Sequence, residues 1–389
     1  MTKAFARPAV GSMLGVLVVS GLLIGRAAFA QIHKEAIAQE IPPLVAATFH
    51  DRGDGVLWEG SVSAPGAFYI RLRFSEIASP QGVGYTIVIR KANGQAIARY
   101  NGKQFSQFGS SFYSEPLFAS DVKVQVEGKG PPAGLSFKID RILRHIEATG
   151  RLTPQSVVAN WWSLAELKPG TPALKVAEAV AKVYVGEGFV CSGFLIEPAS
   201  LVTNYHCLEK SFSYQSTAGN QIKQCDDIKL QFDFDRQSAP ENSIRTVCTR
   251  VLDADKTLDF AVLALDSGAM AISKKPRAFL ALWNGPLTER EDVFVIHHPA
   301  GLAKKVSLGC GTFRVAQDLV EHTCSTAGGS SGAPVIRGDG TVVALHFAGA
   351  FPETMTVGEI EEALAQGKVF RNRSKPIGIL RDRLKVFVR

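Results

Sequence analysis

No cysteine occurs before Cys191 in this chain of 389 residues. The first half therefore cannot rest on disulfides, and the two halves read as independently built units. Positive charge is not concentrated either. The 43 Lys and Arg residues stand against 36 Asp and Glu, for a net charge of +7, and the two signs alternate along most of the chain. Without a basic stripe the excess reads as solubility, and no nucleic-acid partner is expected. No internal repeat or low-complexity tract is present. What remains is ordinary globular composition, 46% hydrophobic and 20% charged, in a chain too long for one average domain.

The N-terminus carries Lys3 and Arg7, an apolar run from Ala9 to Ile24, and small residues at Ala28-Phe29-Ala30 before Gln31. This pattern predicts a secretory signal peptide over residues 1–30. The run is short for a membrane span, includes Gly and Ser, and ends at Arg26, so no stable membrane anchor is expected after cleavage. The cleavage region lacks cysteine, which argues against a lipid-modified start. A secreted or periplasmic location follows, and six cysteines in an oxidising compartment read as disulfides.

From Gly55 to Ile142 short alternating apolar runs are broken by glycine and asparagine turns. Phe68–Phe74, Tyr85–Arg90 and Val122–Val126 read as strands, with a hairpin at Ala92-Asn93-Gly94. The expectation is a β-sandwich-like N-terminal domain over residues 31–150, in the role of an attached or pro-domain. Thr153 to Lys168 then reads as a helix, followed by the linker Lys168-Pro169-Gly170-Thr171-Pro172, so that 151–172 connects to a second unit at 173–389. Strands are expected there at Val180–Val185, Val190–Ile196, Phe260–Leu265, Val293–Ile296 and Val342–Phe347, with helices at Thr356–Gln366 and Pro376–Val388.

The segment Cys191-Ser192-Gly193-Phe194-Leu195-Ile196, running to Thr203-Asn204-Tyr205-His206-Cys207, resembles the chymotrypsin-like serine proteases. In that family a cysteine before such a strand bridges to one directly after the catalytic histidine. The resemblance implies an all-β, chymotrypsin-like double β-barrel with a C-terminal helix, a Cys191–Cys207 bridge, and His206 as general base. Thr326-Ala327-Gly328-Gly329-Ser330-Ser331-Gly332-Ala333-Pro334-Val335 resembles the family's Gly-x-Ser-Gly-x-Pro signature, with Ser331 as nucleophile. The glycines fit the chemistry, because the backbone N–H groups of Gly329 and Ser331 can converge on an oxyanion only in a tight, uncluttered turn. Ser330 is the competing serine, but in that register it lacks a following glycine. Asp259, heading Asp-Phe-Ala-Val-Leu, resembles the third triad member, with Asp253 and Asp255 as nearby rivals. The order His206, Asp259, Ser331 agrees with this family and differs from those of subtilisins and α/β-hydrolases.

His297-His298-Pro299-Ala300-Gly301 looks like an element of bacterial lysyl-endopeptidase-like members, where it is structural. Neighbouring histidines on a strand point to opposite faces, so neither a metal site nor any other cofactor is expected. Ser330 stands where animal-type members hold an activation aspartate, and the segment near Ala173 lacks their Ile-Val-Gly-Gly start. Thr326 with His346, Phe347 and Gly349 resembles the primary pocket of glutamyl endopeptidases. Asn372–Pro376, where the lysyl type adds an aspartate, holds Lys375 instead. A P1 preference for acidic or uncharged residues follows. For the remaining cysteines nearest-neighbour order gives Cys225–Cys248 and Cys310–Cys324, among the fifteen pairings open to six cysteines. The expected function is a secreted serine endopeptidase acting on protein or peptide. The alternatives are a non-catalytic protease-like binding protein and an esterase on the same fold.

Overall fold

The computed structural model describes residues 29–30, 33–34, 36–50, 53–67, 69–78, 84–105, 111–114, 116–145, 161–211, 213–214, 224–225, 227–236, 243–266, 278–349, 362, 366 and 371–388. Two short strands come first, β1 (Phe29–Ala30) and β2 (His33–Lys34). The next eight are β3 (Ile37–Ala46), β4 (Val56–Ser63), β5 (Tyr69–Ala78), β6 (Tyr85–Lys91), β7 (Ala96–Asn101), β8 (Ser111–Tyr113), β9 (Asp121–Gly128) and β10 (Ser136–His145). They form two four-stranded antiparallel sheets, β3-β10-β5-β8 and β4-β9-β6-β7. The period-two pattern explains their facing: in β9, Val122, Val124 and Val126 are buried while Asp121 and Lys123 are exposed. Both sheets feed one core that includes Leu72, Phe74, Ile87, Ile89, Val124 and Phe137. This is the expected sandwich. At the β6–β7 hairpin Gly94 has φ +83° and the Lys91 amide donates to Gln95 O at 2.9 Å, which gives Asn93-Gly94 its turn role.

The linker departs from its expected form. Trp161–Ser163 is a strand, β11, paired antiparallel with residues 305–307, and Leu164–Glu166 is one turn of 3-10 helix. Thr153 to Asn160 of the expected helix lies outside the described residues. The β-prone Trp-Trp pair meets an open strand edge there, and the tertiary pairing overrides the local helical pattern.

Six strands then close a first barrel: β12 (Val180–Val185), β13 (Phe189–Glu197), β14 (Ser200–Thr203), β15 (Lys229–Phe232), β16 (Ile244–Asp255) and β17 (Phe260–Leu265). Their order is β12-β15-β16-β17-β14-β13, and the β12–β13 pairing closes the ring. Six more close a second: β18 (Asp292–His297), β19 (Lys305–Val315), β20 (Val320–His322), β21 (Pro334–Arg337), β22 (Val342–Gly349) and β23 (Asn372–Pro376), in the order β22-β21-β18-β19-β20-β23 with β22–β23 pairing. The double β-barrel of the chymotrypsin-like fold is therefore present. A C-terminal helix, α1 (Ile377–Leu384), buries Ile377, Leu380 and Leu384 in a core shared by both barrels. The other expected helix, Thr356–Gln366, lies almost wholly outside the described residues.

All three disulfides form in the expected pairs: Cys191–Cys207, Cys225–Cys248 and Cys310–Cys324. The sandwich packs on the first barrel through a fully buried Arg71. Its Nε donates to Ser114 O at 2.7 Å, its terminal nitrogens reach Gly186 O and Asp227 O at 3.5 Å, and its guanidinium lies over the rings of Tyr113 and Tyr184. Nearby, Glu187 of the barrel accepts from Arg141 and from the Tyr113 hydroxyl.

Candidate active site

The strand β14 ends at Thr203 and leads into a single helical turn, α2 (Tyr205–Leu208), which carries His206 and Cys207. The Cys191–Cys207 bridge ties this turn to β13. His206 Nδ1 lies 2.8 Å from Asp259 Oδ2, and the His206 amide donates to Asp259 Oδ1 at 3.0 Å. Asp259 sits at φ +51°, a left-handed conformation that costs a non-glycine residue energy and is held by its surroundings. Asn204 Nδ2 donates to the Asp259 carbonyl at 2.8 Å, one such restraint that the sequence reading did not single out.

The two rival aspartates are committed elsewhere. Asp253 pairs with Arg383 of α1, and Asp255 Oδ1 accepts the amides of Thr257 and Leu258.

Ser331 lies in the loop between β20 and β21. Its carbonyl accepts from the Ser192 amide at 2.7 Å, and the next amide, Gly332, donates to His346 O at 2.9 Å. The serine is thus bonded through its backbone to both barrels, to β13 on one side and β22 on the other. Gly332 has φ +85° and rests against Ser192 O and the Thr203 hydroxyl, so no side chain fits there. Gly329 has φ +93°, and a Cβ on it would stand 2.6 Å from His298 O. Among the described residues neither the Gly329 nor the Ser331 amide has an acceptor. Ser331 Oγ and His206 Nε2 are buried and have no hydrogen-bond partner among the described residues.

Ser330, the competing serine, is occupied: its Oγ lies 2.7 Å from His297 Nδ1 and accepts the Ala327 amide at 3.1 Å. His297 and His298 are both fully buried. Burial, reinforced by His322 and Lys305, pushes His297 down to about 3. Burial and the neighbouring Lys304 hold His298 well below the usual imidazole range. They do not form a metal site with each other: His297 bonds Ser330 and Ser307, whereas His298 Nδ1 donates to Leu302 O at 3.0 Å. Among the described residues one cluster of three potential ligand atoms, Cys191, His206 and Cys207, exists, but both sulfurs are consumed in the disulfide.

Of the expected pocket residues, Thr326 bonds to β23, and His346, Phe347 and Gly349 lie on the neighbouring strand β22. Thr326 Oγ1 donates to Asn372 Oδ1 at 2.8 Å, and Asn372 Nδ2 donates to Cys324 O. His346 Nδ1 lies 3.3 Å from His322 Nε2. Burial pushes His322 to about 3 and holds His346 well below its ordinary value, so both rings are neutral. Lys375 places its ammonium 5.5 Å from the centre of the Phe347 ring. Asn372 and His322 were missed from sequence. Asn372 lies in the stretch scanned for an aspartate, and an amide there carried no signal without the Thr326 contact.

The N-terminal strands flank this site. β1 pairs with β22 at Phe29↔Gly349 and Ala30↔Ala348, and β2 pairs with β13 at Phe189↔Lys34 and Val190↔His33.

A family model described as the trypsin-like peptidase domain matches residues 191–345. That span contains His206, Asp259 and Ser331. An uncharacterised protein, y4fB, of Sinorhizobium fredii is 26% identical over 189 residues, which is 43% of this chain. The chain spans about a quarter of that relative's length, 26%. Among solved structures, the active form of the Rv3671c protease from M. tuberculosis is 17% identical, with TM-score 0.40, covering 55% of this chain and 82% of that one. A serine endoprotease from Yersinia pestis is 15% identical, with TM-score 0.38, covering 56% and 65% respectively. In the described residues no helix is long and apolar enough to cross a membrane.

Proposed function

We propose that this chain is an exported serine endopeptidase with Ser331 as nucleophile, His206 as general base and Asp259 as the group that orients it. The reading is carried by one observation: His206 Nδ1 is bonded to Asp259 at 2.8 Å, while its Nε2 and the Ser331 hydroxyl are both buried and each is without a hydrogen-bond partner among the described residues, the other included. The match of residues 191–345 to the trypsin-like peptidase domain supports it.

The Asp259 carboxylate accepts the Nδ1 proton and fixes the tautomer in which Nε2 is a base. As Ser331 Oγ attacks a carbonyl carbon, Nε2 takes its proton and the imidazolium is stabilised by the carboxylate. The oxyanion that forms is met by the Gly329 and Ser331 amides, each such donor being worth roughly 3 kcal/mol in the transition state. His206 then protonates the leaving amine, and water repeats the cycle on the acyl-enzyme. The three disulfides support an oxidising, extracytoplasmic compartment.

For P1, Thr326, Asn372 and His346 supply a neutral, hydrogen-bonding lining, none of them a carboxylate to pair with lysine, which supports a preference for an acidic or uncharged polar side chain. Digestion of casein by wild type but not by Ser331→Ala tests the activity. A peptide library tests the pocket, and a cleavage profile dominated by Lys or Arg would contradict it.

A further inference from the structure

We propose that Trp161, on the strand joining the sandwich to the barrels, is a positioning residue for the nucleophile turn, acting through an uncharged relay of Ser325, Ser307 and His297 onto Ser330. The inference rests on Ser331 being the nucleophile.

The direction of every proton in this relay is fixed by its chemistry. The Trp161 indole is a donor only, and it donates to Ser325 O at 3.1 Å. The Ser307 hydroxyl donates to the same carbonyl at 2.5 Å, so its oxygen is left to accept from His297 Nε2 at 3.2 Å. With its proton on Nε2, the neutral His297 must accept at Nδ1, so the Ser330 hydroxyl donates to it at 2.7 Å. The Ser330 oxygen in turn accepts the Ala327 amide. Ser330 is also the hinge of two successive turns, its amide bonded to Ala327 O and its carbonyl to the Ala333 amide, each at 3.0 Å. These turns bracket Ser331, so the side chain of Ser330 sets where the nucleophile and the two oxyanion amides stand.

The far end of the relay is anchored by strand pairing. Trp161 is the cross-strand partner of Ser307 on β19, and its ring meets that of His297 edge-on at 5.9 Å. No member of the relay is charged, and His297 is fully buried. The turn is held here by a donor delivered from the linker. One consequence concerns processing: a cut that removes the sandwich and leaves a competent site falls upstream of Trp161.

The test combines a spectroscopic and a kinetic readout on the full chain. Histidine nitrogen NMR is expected to show His297 as the neutral Nε2–H tautomer; a proton on Nδ1 would overturn the relay. Trp161→Phe keeps the ring and removes the donor. Its reaction with a fluorophosphonate probe should be about fivefold slower than wild type, the equivalent of one net hydrogen bond, with the melting temperature little changed. Ser330→Ala should slow labelling more. If Trp161→Phe is labelled as fast as wild type while Trp161→Ala is slow, the residue only packs and the proposal fails. Wild type that is itself unlabelled would remove the hydrolase reading first, a result distinct from either.

Discussion

His206 and Asp259 are joined twice: ring Nδ1 to Oδ2 at 2.8 Å, and backbone amide to Oδ1 at 3.0 Å. The second bond fixes the carboxylate relative to the helical turn that bears the ring, so the first is made without searching. Asp259→Asn keeps the shape but can present an N–H where an acceptor is needed. Its kcat on a peptide substrate should fall by roughly 10³–10⁴-fold with KM little changed. A loss below about tenfold would remove Asp259 from the orienting role.

Arg71 couples the sandwich to the first barrel. Its fully buried guanidinium donates to carbonyls of both units, so Arg71→Ala leaves acceptors without donors in a dry interface. Stability measured by urea unfolding should fall by about 2–4 kcal/mol. Limited proteolysis should then cut between the two units at lower protease concentration. An unchanged unfolding midpoint would mean that the interface contributes nothing to the fold.

Much of this architecture was legible in the chain because its signals are local. Alternation in 121–128 and the closely matched run Phe260–Leu265 are strand patterns that the tertiary structure preserves, and Asn93-Gly94 needs only its own backbone to make a turn. The glycine turn at 328–332 and the Cys191–Cys207 bridge beside His206 were legible for the same reason, since tight glycine turns and a flanking cysteine are contiguous features. Trp161–Ser163 was not, because its strand exists only through the edge of β19. Asn372 and Asn204 were missed likewise: each matters through a partner 46 or 55 positions away.

Four neutral histidines make stability depend on acid. His297 and His322 lie near 3 in the folded chain against 6.5 for a free imidazole, with His298 and His346 also well below it, chiefly through burial. Unfolding therefore takes up protons at these sites below about pH 6.5. Their contribution is fully present above that pH and is lost as pH falls through 6.5 toward 3, by up to about 1.4 kcal/mol per unit for each group. The melting temperature should hold from pH 7.5 to about pH 6.5 and drop steadily from there to pH 5, and a flat profile would contradict neutral burial of these rings.

The edges of β22 at 348–349 and of β13 at 189–190 are paired with the chain's own residues 29–30 and 33–34. An extended peptide that reaches Ser331 by adding to these edges would compete with those pairings. Residues 29–30 belong to the expected signal peptide and leave the β22 edge with it; in the mature chain, replacing His33 and Lys34 together by proline removes both amide donors from β2. Peptide hydrolysis by the mature chain should then rise severalfold. No change would mean that this strand does not compete with substrate.

The account turns on Ser331. The most direct measurement is labelling of the folded wild-type protein with a fluorophosphonate probe, the modified residue located by peptide mass spectrometry, beside Ser331→Ala. The expected result is one covalent adduct on Ser331 in wild type and none in the variant. Labelling that persists in Ser331→Ala, or wild type that stays unlabelled, would contradict the assignment.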